Sequence, residues 1–235
     1  MRDRIRKWLP AVLVAVAYAN GAAAYAKLPA LAALDLTPLL PPMVESRPDL
    51  APRAWLAFLM PTVALLVWLL LHEAPVRWLG RLGARVLGLE RMGDDYWKYA
   101  DTYRSIVFWV VALPVAFHFA VVGPALGSPM PAGLVVGAVF GMGMIVMGNA
   151  IPRLRPNPVA GIRTRATLRD PALWARAHRV FGATWVVAGL GVVLVAFLAP
   201  RWSLVAIGVG MALTVLATMV GMRGPGAPIV GSEAS

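Results

Sequence analysis

The feature that most limits what this chain can become is a set of apolar runs without a single Asp, Glu, Lys or Arg, each about as long as a membrane crossing or longer. They occupy residues 8–26, 54–71, 105–152, 180–200 and 202–222. An α-helix rises about 1.5 Å per residue, so about 20 residues cross a hydrocarbon core of about 30 Å. No water satisfies backbone amides there, and a helix bonds them internally. The third run is too long for one crossing, and the stretch from Gly123-Pro124 to Pro131 divides it into 105–122 and 132–149. The chain therefore reads as all-α, an integral membrane helical bundle of six transmembrane helices.

A net charge of +11 would suggest nucleic acid as a partner for a soluble protein. The placement of the charges removes that reading. Of the 22 basic residues, all but Lys27, Arg47, Arg53 and Arg201 fall on one side of a six-helix topology. That is the positive-inside pattern, with both termini cytoplasmic, the lipid bilayer as surroundings and no direct nucleic acid binding. The absence of cysteine excludes disulfides, thiolate metal sites and cysteine nucleophiles. Residues 1–7, the apolar run after them and Ala24-Tyr25-Ala26 have the outline of a signal peptide, but a six-span topology uses this run as an uncleaved first helix.

Residues 27–53 carry Pro29, Pro38, Pro41, Pro42, Pro48 and Pro52, which disfavour a helix or a central strand. This is the largest surface expected outside, able to meet an external peptide or to serve as a connector. Residues 75–89 repeat Arg77, Arg81 and Arg85 against Leu79, Leu82, Val86 and Leu89, the pattern of a helix lying in the cytoplasmic interface. The polar and aromatic stretch from Asp94 to Tyr103 suits a headgroup boundary. His118 is the ionisable side chain inside a span and is the intramembrane polar candidate, satisfied by a neighbouring helix or used in function. Pro114 is expected to kink its helix. Gly133, Gly137 and Gly141, with Gly189, Gly191, Gly208 and Gly210, are expected to let helices approach closely.

The connection at 148–182 is unlike the rest. It holds Arg153, Arg155, Arg163, Arg165, Arg169, Arg176 and Arg179 against one acid, Asp170. Prolines around Asn157 cannot be helical, Gly161 suits a turn, and Thr167 and Asp170 are candidate helix caps, with Asp170-Pro171 the stronger. Trp174, His178 and Phe181 fall on one face of the helix that follows. Asn149, Asn157, Arg163, Trp174, His178 and Arg179 are the candidates for binding a ligand or partner, or for structuring the loop. Arginine forks suit carboxylate or phosphate, while loops near a bilayer must also satisfy their own polar groups.

The order Gly148-Asn149, Pro152, Pro156-Asn157, Gly161-Ile162-Arg163-Thr164, Thr167-Leu168, Trp174, His178-Arg179 resembles the signature of the SdpI family. It departs at Arg165-Ala166, where that family usually carries Pro-Trp. The resemblance implies a multi-pass protein of the bacterial inner membrane that gives immunity to, or senses, a membrane-active peptide toxin. A cytoplasmic repressor-like protein is the second partner it implies. On this reading residues 1–104 form an N-terminal membrane region, 105–222 the SdpI-like membrane domain and 223–235 a flexible tail. A small transporter or channel is the alternative, although few polar groups could line a path. Enzyme chemistry is not expected: the spans hold no acidic pair, Val76 breaks a His-Glu-x-x-His pattern after His72, and there is no Gly-x-Ser-x-Gly. His72, His118 and His178 lie on separate segments, so neither a metal site nor a cofactor is expected.

Overall fold

The computed structural model describes residues 2–34, 36–44, 49–72, 75, 78, 82, 100–157 and 160–223, with the backbone alone at 2–6, 33, 38 and 125. The interfacial segment expected at 75–89 falls largely outside these residues, as do the stretch at 94–99 and the tail beyond Arg223.

Among the described residues the elements follow in order as α1 (Arg2–Lys27), β1 (Leu31–Leu34), β2 (Asp49–Pro52), α2 (Arg53–Leu71), α3 (Ala100–Ala125), α4 (Ala132–Ala150), α5 (Arg165–Arg169), α6 (Pro171–Leu198) and α7 (Ser203–Met222). All but α5 among the helices are long and apolar enough to cross a membrane, giving six spans. The protein is a multi-pass helical membrane protein. Pro10, Pro61 and Pro114 lie inside α1, α2 and α3, and each helix continues through its proline. Neighbouring helices make such interruptions tolerable in a span.

The expected break after Val122 comes later. α3 runs on to Ala125 and closes where Gly127 takes a φ of 82°. Ser128 N–H then reaches back to Gly123 C=O at 2.9 Å and Gly127 N–H to Pro124 C=O at 3.0 Å. This paired closure needs a left-handed residue, and glycine adopts that conformation without a Cβ clash.

Packing divides the spans into two groups of three. α1, α2 and α3 pack on one another, α4, α6 and α7 do the same, and α3 against α4 joins them. The closest approach is between α4 and α6, along a line of small residues. A Cβ on Gly141 would lie 2.8 Å from Gly189 C=O, and one on Gly148 would lie 2.8 Å from Gly182 C=O. Both pairs are two turns apart in both helices, so one seam serves the length of the contact. Gly137 continues it against Ala196 and Ser203, and Gly133 against the Pro200 carbonyl. Gly191 and Gly208 do not take part, contrary to expectation: a Cβ on either would meet nothing within 4 Å.

The proline-rich connection is more ordered than its composition suggests. β1 and β2 pair antiparallel, with Leu31 opposite Pro52 and Ala32 opposite Ala51. Arg53 N–H bonds Ala30 C=O at 3.1 Å, which makes Leu31–Pro52 a position where no ladder bond is due. Pro52 therefore fits a strand without leaving an acceptor unmet. From the ribbon the chain crosses to the second group, where Leu40 C=O accepts from Arg201 Nε at 3.4 Å. The 3-10 turn Thr37–Leu39 packs on α4 and on the turn Pro200–Trp202. The connection thus straps the two groups together at this end.

Candidate functional site

At the opposite end, the chain between α4 and α6 folds into a knot of buried polar groups. A 3-10 turn, Ile151–Arg153, closes α4 and puts Leu154 in extended backbone. Trp174 Nε1–H bonds Leu154 C=O at 2.7 Å. Asn157 Nδ2 donates to Arg155 C=O and its Oδ1 accepts from Ala160 N–H, both at 2.8 Å, so one side chain holds the turn on each side of itself. Gly161 follows with a φ of 107°. Any Cβ there would collide with His178 Nε2 and approach the Trp174 ring, so both backbone angle and space demand glycine.

The next residue, Ile162, has both backbone groups taken by side chains. Its N–H donates to His178 Nε2 at 3.0 Å, and its C=O accepts from Thr167 Oγ1 at 2.7 Å. Thr164 caps α5, accepting from Thr167 N–H at 3.1 Å, while Thr167 Oγ1 accepts from Thr164 N–H at 2.9 Å. Sequence reading put Thr167 at the cap; it occupies the reciprocal position of a capping box whose cap is Thr164. A threonine there in place of the usual Glu or Gln hides the pattern. Asp170 caps α6 as expected, its Oδ1 accepting from Ala172 N–H at 2.8 Å and Leu173 N–H at 3.2 Å.

The geometry fixes the protonation of His178. Nδ1 faces Trp174 C=O at 2.8 Å, and a carbonyl only accepts, so Nδ1 carries the proton. Nε2 faces an amide N–H, which only donates, so Nε2 is bare. The imidazole is neutral and stacks on the Trp174 indole with centroids 4.0 Å apart and planes at 21°. Asn157, Thr167, Trp174 and His178 are all buried. The apolar underside of the knot, Leu154, Leu168 and Trp174, belongs to one cluster with Met147 of α4, Val107 and Val111 of α3 and Val14 of α1.

The six candidates in this segment thus sort into two places. Asn157, Trp174 and His178 come together inside the knot. Asn149, Arg163 and Arg179 lie exposed around it, with Arg153, Arg155, Arg165 and Arg169. Arg165 and Arg169 are neighbours on the outer face of α5, one turn apart, opposite buried Thr167 and Leu168.

His118 sits elsewhere, wholly buried in the half of α3 nearer the strap. Its Nε2 lies 3.1 Å from Asn20 Oδ1 of α1, so Nε2 is the donor and Nδ1 is left as an acceptor with no partner among the described residues. Beside this pair Gly21 lets α1 meet α2, since a Cβ there would strike the Ala57 carbonyl. The pairing of Asn20 with His118 across 98 residues is a helix-to-helix tie of the kind expected for a lone intramembrane histidine. His72 ends α2 with its ring edge-on to Trp68, away from the other two histidines. Among the described residues no three His, Cys, Asp or Glu side chains are grouped to hold a metal ion.

No curated protein and no solved structure matches the chain. The model of the SdpI/YfhL protein family matches residues 153–222, the stretch that holds the knot, the exposed arginines from Arg153 to Arg179, and the spans α6 and α7. Over that stretch the chain is similar to the SdpI/YfhL protein family.

Proposed function

We propose that this protein protects a bacterial cell against a membrane-active peptide toxin, or senses one, from the inner membrane. Both termini and the knot face the cytoplasm. The observation that carries the reading is that the segment matching the family is, among the described residues, also the most elaborately built: four buried polar side chains hold a short loop in one shape while seven arginines crowd the same segment. The buried set, Asn157, Thr167, Trp174 and His178, keeps the ends of α4 and α6 in register. The exposed set, Asn149, Arg163 and Arg179 with their neighbours, offers forked cations to an acidic partner such as a cytoplasmic repressor-like protein. Toxin recognition belongs to the spans and the strap on the far side. The exclusion of all but four basic residues from that side supports the orientation. The transporter alternative gains little, since Asn20 and His118 spend their hydrogen bond on each other.

Two measurements test this. A strain lacking the gene is expected to be killed at a several-fold lower concentration of at least one peptide toxin made by the organism or its neighbours, with full rescue by the wild-type gene. Equal survival across such a panel would sink the immunity reading. Because the chain has no cysteine, Arg163→Cys introduces a unique thiol. It is expected to react with an impermeant maleimide only after the cells are permeabilised; labelling of intact cells would reverse the orientation.

A further inference from the structure

We propose that the cavity beneath the strap binds a hydrocarbon chain, and that its occupant is an acyl chain of a bilayer phospholipid. The cavity, about 320 Å³, lies in the seam between the two groups of helices. Leu36 and Leu39 of the strap roof it, Phe117 and Val121 of α3 form one wall, and Leu204 of α7 forms another. Protein interiors hold few voids larger than a water molecule, so a space of this size calls for a guest. Apolar cavities stay dry and take apolar guests.

The lining chemistry selects a hydrocarbon. Apart from the Trp55 indole, the one polar side chain in the wall is His118, whose ring is wholly buried with Nε2 taken by Asn20, so that Nδ1 is a single acceptor with no proton to give. A peptide backbone entering here would leave all but one of its amides and every carbonyl short of partners in an otherwise apolar wall, whereas a methylene chain has none to satisfy. The opening faces the same way as the lipid-facing side of α2. Trp55, 65% exposed, and Leu59 line the cavity, and their stripe continues down the helix through exposed Leu66 and Leu70. The ribbon above has the pattern of a surface in contact with hydrocarbon. Ala32 and Ala51 turn inward, while Leu31 at 56% and Leu50 at 70% exposure turn outward. The bond from Arg201 to Leu40 fixes the strap across the seam, so the cavity keeps a roof.

The proposal is independent of toxin immunity and has its own test. Leu39→Cys would place the only thiol in the roof of the cavity. In delipidated, detergent-solubilised protein this thiol is expected to react with butyl methanethiosulfonate at least tenfold faster than with the charged trimethylammonioethyl reagent. Added phosphatidylglycerol or phosphatidylethanolamine is expected to slow the butyl reaction several-fold. Equal rates for the two reagents, or no slowing by either lipid, would overturn the proposal. Native mass spectrometry gives a second reading: wild type retains a phospholipid that Val121→Phe, which fills the cavity, loses. Equal retention by both, or a retained peptide in place of lipid, counts against a lipid guest; if the filled variant does not fold, the thiol measurement decides. Neither result bears on whether the deletion strain survives a toxin.

Discussion

Gly182→Ala destabilises the bundle by about 1–3 kcal/mol, the range for overpacking a tight contact, although alanine is the better helix former by about 1 kcal/mol. A Cβ at position 182 would lie 2.5 Å from both Gly148 C=O and Pro152 Cγ. Neither can yield alone, because Gly148 is part of a helix backbone and Pro152 belongs to the turn that closes α4. α4 and α6 must then separate, and the separation is felt two turns away, where a Cβ on Gly189 would already lie 2.7 Å from Gly141 C=O. In a bilayer this contact is held by close packing and not by exclusion of water, so lost proximity is lost stability. The control lies in the same helix. Gly191→Ala meets nothing within 4 Å and is expected to be neutral or to stabilise by up to about 1 kcal/mol. Unfolding midpoints in a titration of denaturing detergent measure both. If Gly182→Ala proves as stable as Gly191→Ala, the seam does not hold these helices together.

The opposite signs expected at two glycines nine residues apart show where the sequence stops being informative. Spans are legible because lack of charge over membrane length is a local property, and all six were marked to within a few residues at most ends. The start of α6 was legible from Asp170-Pro171, whose cap chemistry is also local. Which glycine faces a helix and which faces lipid depends on the rotation of α6 against a partner remote in sequence, and spacing alone treats Gly189 and Gly191 alike. The strap was hidden for a related reason. Proline counts argue against regular structure, but one proline at an unbonded ladder position, Pro52, costs a two-stranded ribbon nothing. The knot was half legible. Trp174 and His178 stood out by their spacing, yet the bond from His178 to Ile162 depends on the left-handed turn at Gly161, which brings the chain back onto the helix.

His178→Ala is expected to speed tryptic cleavage of the 155–169 segment by about 30-fold to several hundred-fold, corresponding to about 2–4 kcal/mol of lost local stability. The substitution leaves the half-buried Ile162 N–H without its acceptor, worth about 1–3 kcal/mol, and removes the stack on Trp174, worth about 0.5–1.5 kcal/mol. Exposed Arg163, Arg165 and Arg169, none of them followed by proline, make trypsin a direct reporter of loop opening. Gly161→Ala is expected to act through the same contact from the other side, since a Cβ there would displace the imidazole and the φ of 107° would strain any other residue. The double variant should therefore open less than the two single effects multiplied together, because the second change has no contact left to break. Arg179→Gln, at an exposed position beside the knot, is expected to leave the cleavage rate of the 155–169 segment within about threefold of wild type while lowering protection. This contrast separates holding from binding. A residue that holds the loop changes its cleavage rate, and a residue that meets a partner leaves that rate alone and changes what the protein does in the cell. If His178→Ala is cut no faster than wild type, the imidazole does not fasten Ile162, and the division between a buried set that shapes the loop and an exposed set that faces a partner fails with it.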